Sequence, residues 1–173
     1  MENEFLYPQE ILKTLVINPN STTCDFGCGT GGWTIPLAKL LPSGIVYAID
    51  IVEDSLLFLK SNASRQGVHN IKTILSDIEK GVKIINNDEV DIVLIVNTLF
   101  QTDNIGLILN EADRILKKGG FILIIDWKEN NPMGIEKDLV KFEEIKSIIL
   151  NNKYKLEKEF DAGHYHRGLI FKK

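Results

Sequence analysis

A glycine-rich segment at residues 24–32 has the composition of a ligand-binding turn. It reads Cys-Asp-Phe-Gly-Cys-Gly-Thr-Gly-Gly and lies between a predicted strand and a predicted helix. Glycines adopt positive φ angles and let the backbone approach a ligand, while the first N–H groups of the next helix are free to donate. The segment therefore predicts a cradle for a nucleotide-like ligand. Because Gly27, Gly29 and Gly32 also satisfy the dinucleotide pattern G-x-G-x-x-G, the turn alone does not choose the ligand.

Asp25 favours a cationic ligand at this turn. Its carboxylate precedes Gly27 by two residues, where it would repel a diphosphate and attract an ammonium or sulfonium group. The alternative is a purely structural one, in which the carboxylate accepts hydrogen bonds from backbone N–H groups of the turn.

Two more carboxylates come at the ends of the next two predicted strands. Asp50 can accept two hydrogen bonds from a ribose diol. Asp77 can accept from the exocyclic amine of an adenine, or it can cap a short turn from Ile78 to Gly81. Ligands of open parallel sheets bind beyond the carboxyl ends of the strands, so three acids at successive strand ends predict one site.

The hydrophobic pattern predicts strands and helices in alternation, which is typical of an α/β fold with a parallel sheet covered by helices. Strands are predicted at 22–26, 45–50, 71–75, 91–96, 121–126, 154–160 and 165–171, and helices at 9–15, 33–41, 53–66, 82–85, 105–116 and 136–150. Residues 117–120, Lys-Lys-Gly-Gly, are predicted to end a helix with a glycine in the left-handed cap. The turn at 161–164 is too short for a crossover, so the last two strands are expected to be antiparallel neighbours.

Composition narrows the class of protein. The 173 residues are 44% hydrophobic and 25% charged, which predicts one domain at 1–173, with an N-terminal helical cap at 1–20 on a core at 21–173. A formal charge of −4 gives no global positive field for nucleic acid or an anionic membrane. No apolar stretch approaches the roughly 20 residues that span a bilayer, and the acidic N-terminus does not resemble a signal peptide. We therefore expect a cytoplasmic protein that binds neither nucleic acid nor membrane.

The two cysteines, Cys24 and Cys28, flank the glycine turn with C-x3-C spacing. This pair could be half of a metal site or a redox pair. Since no further cysteine or nearby histidine completes a ligand set, we predict two small, buried, reduced side chains and no metal.

With these features, the chain resembles the class I S-adenosylmethionine-dependent methyltransferases over nearly all of its length. The resemblance implies a three-layer, Rossmann-like fold, whose mostly parallel seven-stranded sheet has an antiparallel last strand, and S-adenosyl-L-methionine as cofactor. Residues 116–120 resemble the Leu-Lys-Pro-Gly-Gly turn that is frequent in this family. The residues that match its cofactor site are Asp25, Gly27, Cys28, Gly29, Thr30 and Gly31 around the methionine, Asp50 at the ribose, Ile51, Asp77 and Ile78 at the adenine, and Asn97 at the methionine amino group.

A second group of residues is expected to contact the methyl acceptor. The resemblance places Leu99 and Phe100 beneath the methyl group. We expect three substrate residues: Phe100, Tyr7, which precedes the first helix, and Asp126, which ends the fifth predicted strand. Phe5 and Tyr7 could fold over the cofactor as a lid, and the polar segment 128–133 is expected to border the substrate mouth. Other aromatic residues that could line a pocket, or belong to the core instead, are Trp33, Trp127 and Tyr165.

The sequence departs from two subclasses of the family. Asn97-Thr98-Leu99-Phe100 replaces the Asn/Asp-Pro-Pro-Tyr of enzymes that methylate amino groups of DNA bases or glutamine. A thiol-based arsenic mechanism is unsupported because both cysteines lie in the cofactor turn.

A general base is optional for methyl transfer, and the candidates for this role are Asp126, His164 and His166. The alternative is that Asp126 caps a turn and the histidines lie on a solvated strand face.

The favoured function is therefore methyl transfer to a small molecule by in-line displacement, by a monomer or homodimer. Methylation of protein or RNA, a non-catalytic module that binds S-adenosylmethionine, and an NAD-dependent reductase remain as alternatives.

Overall fold

The computed structural model describes residues 7–128, 131 and 142–173. The strands are β1 Thr22–Phe26, β2 Ile45–Asp50, β3 Ile71–Leu75, β4 Val90–Val96, β5 Leu116–Trp127, β6 Lys155–Asp161 and β7 His166–Lys172. The helices are α1 Pro8–Leu12, α2 Thr34–Lys39, α3 Glu53–Arg65, α4 Ile105–Ile115 and α5 Phe142–Asn151, with 3-10 turns at Ile78–Lys80 and Leu99–Gln101. None of the helices in this part of the chain is long and apolar enough to cross a membrane.

The described strands form one seven-stranded sheet in the order β3-β2-β1-β4-β5-β7-β6. The strands from β3 to β5 pair in parallel, whereas β7 runs antiparallel to both β5 and β6. This arrangement confirms the predicted α/β class, the mostly parallel seven-stranded sheet and the antiparallel last strand. The predicted antiparallel pairing of β6 with β7 is also confirmed.

Helices cover both faces of the sheet and create two apolar cores. On one face, Ile108 of α4 and Ile145 of α5 pack against strand residues such as Ile95. On the other face, Leu12 of α1 and Leu59 of α3 pack among residues from α2 and the sheet. Because β4 lies between the two cores, its run Ile92–Val96 is apolar without alternation and is buried on both sides.

The helix predicted at 82–85 is wrong. A turn occupies this place, and the helical segment nearby is the 3-10 turn at Ile78–Lys80. Val82 and Ile85 are three residues apart, which resembles the spacing of a buried helix face, and both side chains are indeed buried in the core. The N–H group of Val82, however, donates to the Glu111 carboxylate at 2.7 Å, an interaction between distant residues that periodicity does not reveal.

The helix predicted at 105–116 ends within one residue of its expected end, but the glycine cap predicted at 117–120 is wrong. The helix α4 ends at Ile115, and Leu116 is extended and pairs with Val90 as the first residue of β5. Gly119 has the expected positive φ of 79°, but within β5, where the pairing with β4 shifts register. Leu116 is fully buried, so tertiary packing takes it into the sheet.

The helices predicted at 9–15 and 33–41 are shorter in the structure, and the strand predicted at 121–126 begins earlier, at Leu116. The helix predicted at 9–15 ends at Leu12 in a turn, and the part of the predicted helix at 136–141 lies outside the described residues.

Candidate functional site

A cleft of about 490 Å³ lies at the carboxyl ends of the parallel strands. Its volume is within the range of about 300–1,000 Å³ that is usual for small-molecule sites. The loops that follow β1, β2, β3 and β4 supply its walls. Its lining includes Gly27, Cys28, Gly29, Trp33, Asp50, Ile51, Val52, Ser76, Asp77, Ile78, Glu79, Asn97, Thr98, Gln101 and Thr102.

The glycine turn forms the floor of this cleft. Gly27, Gly29 and Gly31 have φ angles of 69°, 51° and 93°. A Cβ atom on Gly27 would lie 2.4 Å from Thr98 Oγ1, and one on Gly31 would lie 2.3 Å from Leu59 Cδ1. A Cβ on Gly29 would meet nothing within 4 Å. The outer two glycines therefore permit close packing behind the turn, whereas Gly29 leaves open space in the cleft.

Asp50 joins the turn to the end of β2. One carboxylate oxygen accepts from the Gly29 N–H at 2.7 Å, and the other accepts from the Val52 N–H at 2.9 Å. A carboxylate has about four acceptor positions, so two remain for a ligand. The neighbouring Ile51 is 66% exposed, which provides an apolar surface for a planar group.

Asp77 caps the 3-10 turn that follows β3. Its carboxylate accepts from the Glu79 N–H at 3.0 Å and pairs with Lys80 Nζ at 2.8 Å. The hydrogen bond from Lys80 lowers the pKa of the Asp77 carboxyl, as does the N–H of Glu79. The structural alternative for Asp77 is thus present, although the residue also lines the cleft.

Glu79 closes one side of the cleft. Its carboxylate accepts from the Asp103 N–H at 3.0 Å and so connects the loop after β3 to the loop after β4.

Asn97 has an unusual conformation directly after β4. Its φ angle is 51°, and its N–H donates to the Ile125 carbonyl at 2.9 Å. Its own carbonyl accepts from Gln101 Nε2 at 2.8 Å. Its side-chain oxygen is buried without a hydrogen-bond partner. An amide oxygen in this position lacks a donor and fits a bound ammonium group.

Asp25 lies behind the cleft rather than in its lining. The side chain is 2% exposed, and its carboxylate accepts from Thr34 Oγ1 at 2.6 Å, which connects β1 to α2. Desolvation raises the pKa of Asp25 to about 7; the Thr34 hydrogen bond opposes this rise and the charge of Asp50 adds to it. Thr30 and Gly31 are also absent from the lining residues.

The two cysteines are free and buried, which confirms the prediction of small, reduced side chains. Desolvation raises the pKa of both thiols, so neither is a ready nucleophile. Cys28 lines the cleft, whereas Cys24 belongs to the core.

The loop after β4 presents polar residues rather than the predicted apolar pair. Leu99 is 1% exposed, and Phe100 packs against the same core, so neither lines the cleft. Thr98, Gln101 and Thr102 line it instead. Their spacing of three and four residues, together with their polarity, is the helical-turn signal that could have identified them.

Asp126 is buried completely, and the structure does not bring it to the cleft. Its carboxylate accepts from the N–H groups of Leu99 at 3.0 Å and Trp127 at 2.9 Å. Desolvation raises the pKa of this carboxyl to about 6, although the backbone N–H groups lower it. These contacts are those of the capping alternative.

The remaining candidates surround the end of β5. His164 is exposed, and His166 is buried against Trp127. Burial lowers the pKa of His166 to about 4, with a smaller contribution from the charge of Lys128. Tyr7 is 49% exposed before α1, whereas Phe5 and most of 128–133 lie outside the described residues.

The sequence profile of the methyltransferase domain family matches residues 17–164. The chain belongs to this family. It resembles the demethylmenaquinone methyltransferase of Geobacillus stearothermophilus, with 25% identity over 73% of this chain and 53% of the relative. The enzyme of the same name from Staphylococcus aureus is 27% identical over 72% of this chain and 51% of the relative. The chain thus spans about half the length of the curated relatives it matches.

Solved structures agree on the fold. A methyltransferase from Aquifex aeolicus, described as dependent on S-adenosylmethionine, superposes with a TM-score of 0.87 at 22% identity, over 98% of this chain and 90% of that one. The [4+2]-cyclase SpnF superposes with a TM-score of 0.82 at 12% identity, over 96% and 80%. These similarities show that the chain has the fold of the class I methyltransferases.

S-adenosylmethionine is the cofactor of this family, and the residues of the cleft fit it. The open space over Gly29 suits the methionine chain, and the orphaned oxygen of Asn97 suits the ammonium group. The free acceptor positions of Asp50 suit a ribose diol.

Proposed function

We propose that this chain transfers the methyl group of S-adenosylmethionine to a small-molecule acceptor by in-line displacement. The observation that carries this proposal is the unpartnered Asn97 oxygen in a cleft that also presents Gly29 and Asp50. One site thus offers an acceptor for an ammonium, open backbone for a chain and a carboxylate for a diol.

The same proposal assigns a role to each cofactor residue. The glycine turn from Gly27 to Gly29 holds the methionine, and Asn97 binds its ammonium. Asp50 binds the ribose hydroxyls with the acceptor positions that Gly29 and Val52 leave free.

The adenine lies between the loops after β2 and β3. Exposed Ile51 packs on one face of the base, and Asp77 with Ile78 lies at its edge. Behind the turn, Asp25 acts through its charge rather than by contact, since it is buried and bonded to Thr34.

When bound, the cofactor supplies an electrophilic methyl group, so the protein's task is to position the acceptor and exclude water. Asp126 is poorly suited to removing a proton, because its carboxylate already accepts two backbone hydrogen bonds. The proposed transfer therefore depends on alignment and does not assign a general base.

A small acceptor is favoured over a nucleic acid by the net charge of −4, which provides no positive field for phosphates. The names of the curated relatives support the same class of acceptor. Methylation of a protein or RNA would instead require a surface for a macromolecule, and it would label a large species.

The alternative that merits a direct test is cofactor binding without methyl transfer. SpnF has the same fold and is named for a different reaction, so the fold alone does not establish the chemistry.

Calorimetric titration with S-adenosylmethionine, S-adenosylhomocysteine and NADH tests the cofactor. We expect micromolar binding of the first two and none of NADH; binding of NADH alone would overturn the proposal. Incubation with methyl-labelled cofactor and an acceptor panel then tests transfer. Label in a small product supports the proposal, whereas label in a macromolecule or in no product favours the corresponding alternative.

A further inference from the structure

Two unpartnered nitrogen atoms lie outside the cofactor cleft. Within the described ranges, the buried side-chain polar atoms without a hydrogen-bond partner are Asn97 Oδ1, Trp127 Nε1 and His166 Nε2. Buried polar groups normally have partners, and those without one call for a functional explanation. The cofactor accounts for Asn97. It leaves the other two without a role.

The two nitrogens belong to one cross-strand pair. Trp127 ends β5 and His166 begins β7, and the two residues are directly opposite in the antiparallel register. Their rings are 3.9 Å apart between centroids, with 38° between their planes. His166 is 6% exposed, whereas Trp127 is only partly buried and leaves some of its ring accessible.

This pair lies at the carboxyl end of β5, the same edge of the sheet as the cleft, although neither residue lines the cleft. Asn97 lines the cleft, and its N–H donates to the carbonyl of Ile125, two residues before Trp127. The proposed cofactor occupies the ends of β3, β2, β1 and β4. An in-line acceptor must approach the methyl group from the side opposite the sulfur, and the strand ends next to β4 on that edge of the sheet are those of β5 and β7.

The chemistry of the two groups is complementary. The indole Nε1 is a donor only. Burial keeps the imidazole neutral, so with its proton on Nδ1 it presents an acceptor at Nε2. A hydroxyl group both accepts and donates, so one hydroxyl satisfies both nitrogens, whereas an ether or a carbonyl satisfies only the indole.

We propose that Trp127 and His166 recognise a planar, hydroxyl-bearing acceptor, whose hydroxyl accepts from Trp127 and donates to His166. This assignment rests on the proposed methyl transfer. The accessible part of the Trp127 ring favours a planar partner, because aromatic rings pack in offset or tilted pairs. The residues act as binding residues, and no proton transfer is assigned to them.

The experiment uses 1-naphthol and 1-methoxynaphthalene as probes, titrated by calorimetry with and without saturating S-adenosylhomocysteine. The two probes share a ring system, but the second cannot donate to His166. We expect the full chain to bind 1-naphthol about tenfold more tightly, in line with one hydrogen bond in a buried site. Trp127→Phe and His166→Phe should remove this preference, and His166→Gln, which restores an acceptor, should recover part of it.

His164→Phe is the matched control, because His164 is an exposed histidine two residues earlier in the same hairpin. It should keep the preference. Thermal unfolding identifies any variant that does not fold. If His166→Phe does not fold, the comparison of His166→Gln with the wild type still tests the role of the acceptor at this position.

The proposal is overturned if the wild-type chain does not bind 1-naphthol, if it binds both probes equally, or if the His166 and Trp127 variants retain the preference. Binding of S-adenosylhomocysteine is measured in the same samples. Its absence would contradict the proposed function, whereas intact cofactor binding without a hydroxyl preference would contradict only the assignment of Trp127 and His166.

Discussion

The Asp50 carboxylate accepts a hydrogen bond from the Gly29 N–H at 2.7 Å, so the end of β2 holds the turn that follows β1. Its second oxygen accepts from the Val52 N–H and fixes the start of α3. One side chain thereby shapes the floor of the cleft and faces into it.

Asp50→Ala should weaken binding of S-adenosylmethionine by roughly 1.5–3 kcal/mol, because it removes charge-assisted hydrogen bonds. Calorimetry measures the change. Asp54→Ala is the control, since Asp54 is an exposed carboxylate in the first turn of α3 and does not line the cleft. An affinity unchanged by Asp50→Ala would remove Asp50 from the ribose site.

Gly29→Ala should fold but lose cofactor affinity, because its new methyl group enters open space in the cleft. Gly67→Ala is a close match: Gly67 has a φ of 67°, and its Cβ would also meet nothing within 4 Å, but it lies after α3 outside the cleft lining. Both variants should lose about 1 kcal/mol of unfolding free energy from backbone strain. Equal affinity of the two for S-adenosylmethionine would contradict the role of Gly29.

Asp25→Asn should flatten the pH dependence of stability. Desolvation raises the pKa of Asp25 from its ordinary 3.8 to about 7, so the folded chain binds this proton more tightly than the unfolded chain. Stability from this group is therefore greatest at low pH and falls as pH rises towards 7. Between pH 5 and 8 the wild type should lose roughly 2–3 kcal/mol that the variant keeps. Denaturant unfolding across this range provides the measurement, and parallel curves would exclude a raised pKa.

The same variant tests whether Asp25 favours a cation. S-adenosylmethionine carries a sulfonium, whereas S-adenosylhomocysteine carries a neutral thioether. At pH 8, Asp25→Asn should reduce affinity for the first more than for the second, because only the first loses an attraction between charges. Equal losses, measured by calorimetry, would mean that Asp25 acts only through its hydrogen bond with Thr34.

Asp126→Asn should reduce the free energy of unfolding by about 1–3 kcal/mol, because an amide cannot accept from both Leu99 and Trp127 as a carboxylate does. Denaturant unfolding measures this loss, with the exposed Asp54→Asn as control. If the variant instead kept its stability and lost turnover with an identified acceptor, Asp126 would be the general base.

The sequence was most informative where local patterns dominate. Strands β1, β2 and β3 match their predicted bounds, because each is a short run of β-forming residues bounded by turn residues or polar residues. Leu116 and Val82 were misassigned because distant partners determine their conformation: Leu116 pairs with Val90, and Val82 donates to Glu111. Local propensity does not contain these contacts.

In the candidate site, the predicted strand ends showed which residues lie near the cleft, but not which of their side chains point into it. Asp50, Asp77 and Asn97 line the cleft as expected, since parallel strands place their carboxyl ends at one edge. Asp25 is buried against Thr34, and Gln101 and Thr102 line the cleft where Leu99 and Phe100 were expected. Both outcomes depend on how side chains pack in the core, which the local sequence does not reveal.

The position of β7 between β5 and β6 has a consequence for biosynthesis. Within the described sheet, β6 pairs with β7 alone, so β6 cannot join the sheet when it leaves the ribosome. It must wait, with its backbone groups unpaired, until β7 has been made and has docked on β5. Completion of the sheet is thus delayed beyond the synthesis of β6, and His166, which β7 contributes to the edge near the cleft, arrives at that same late step.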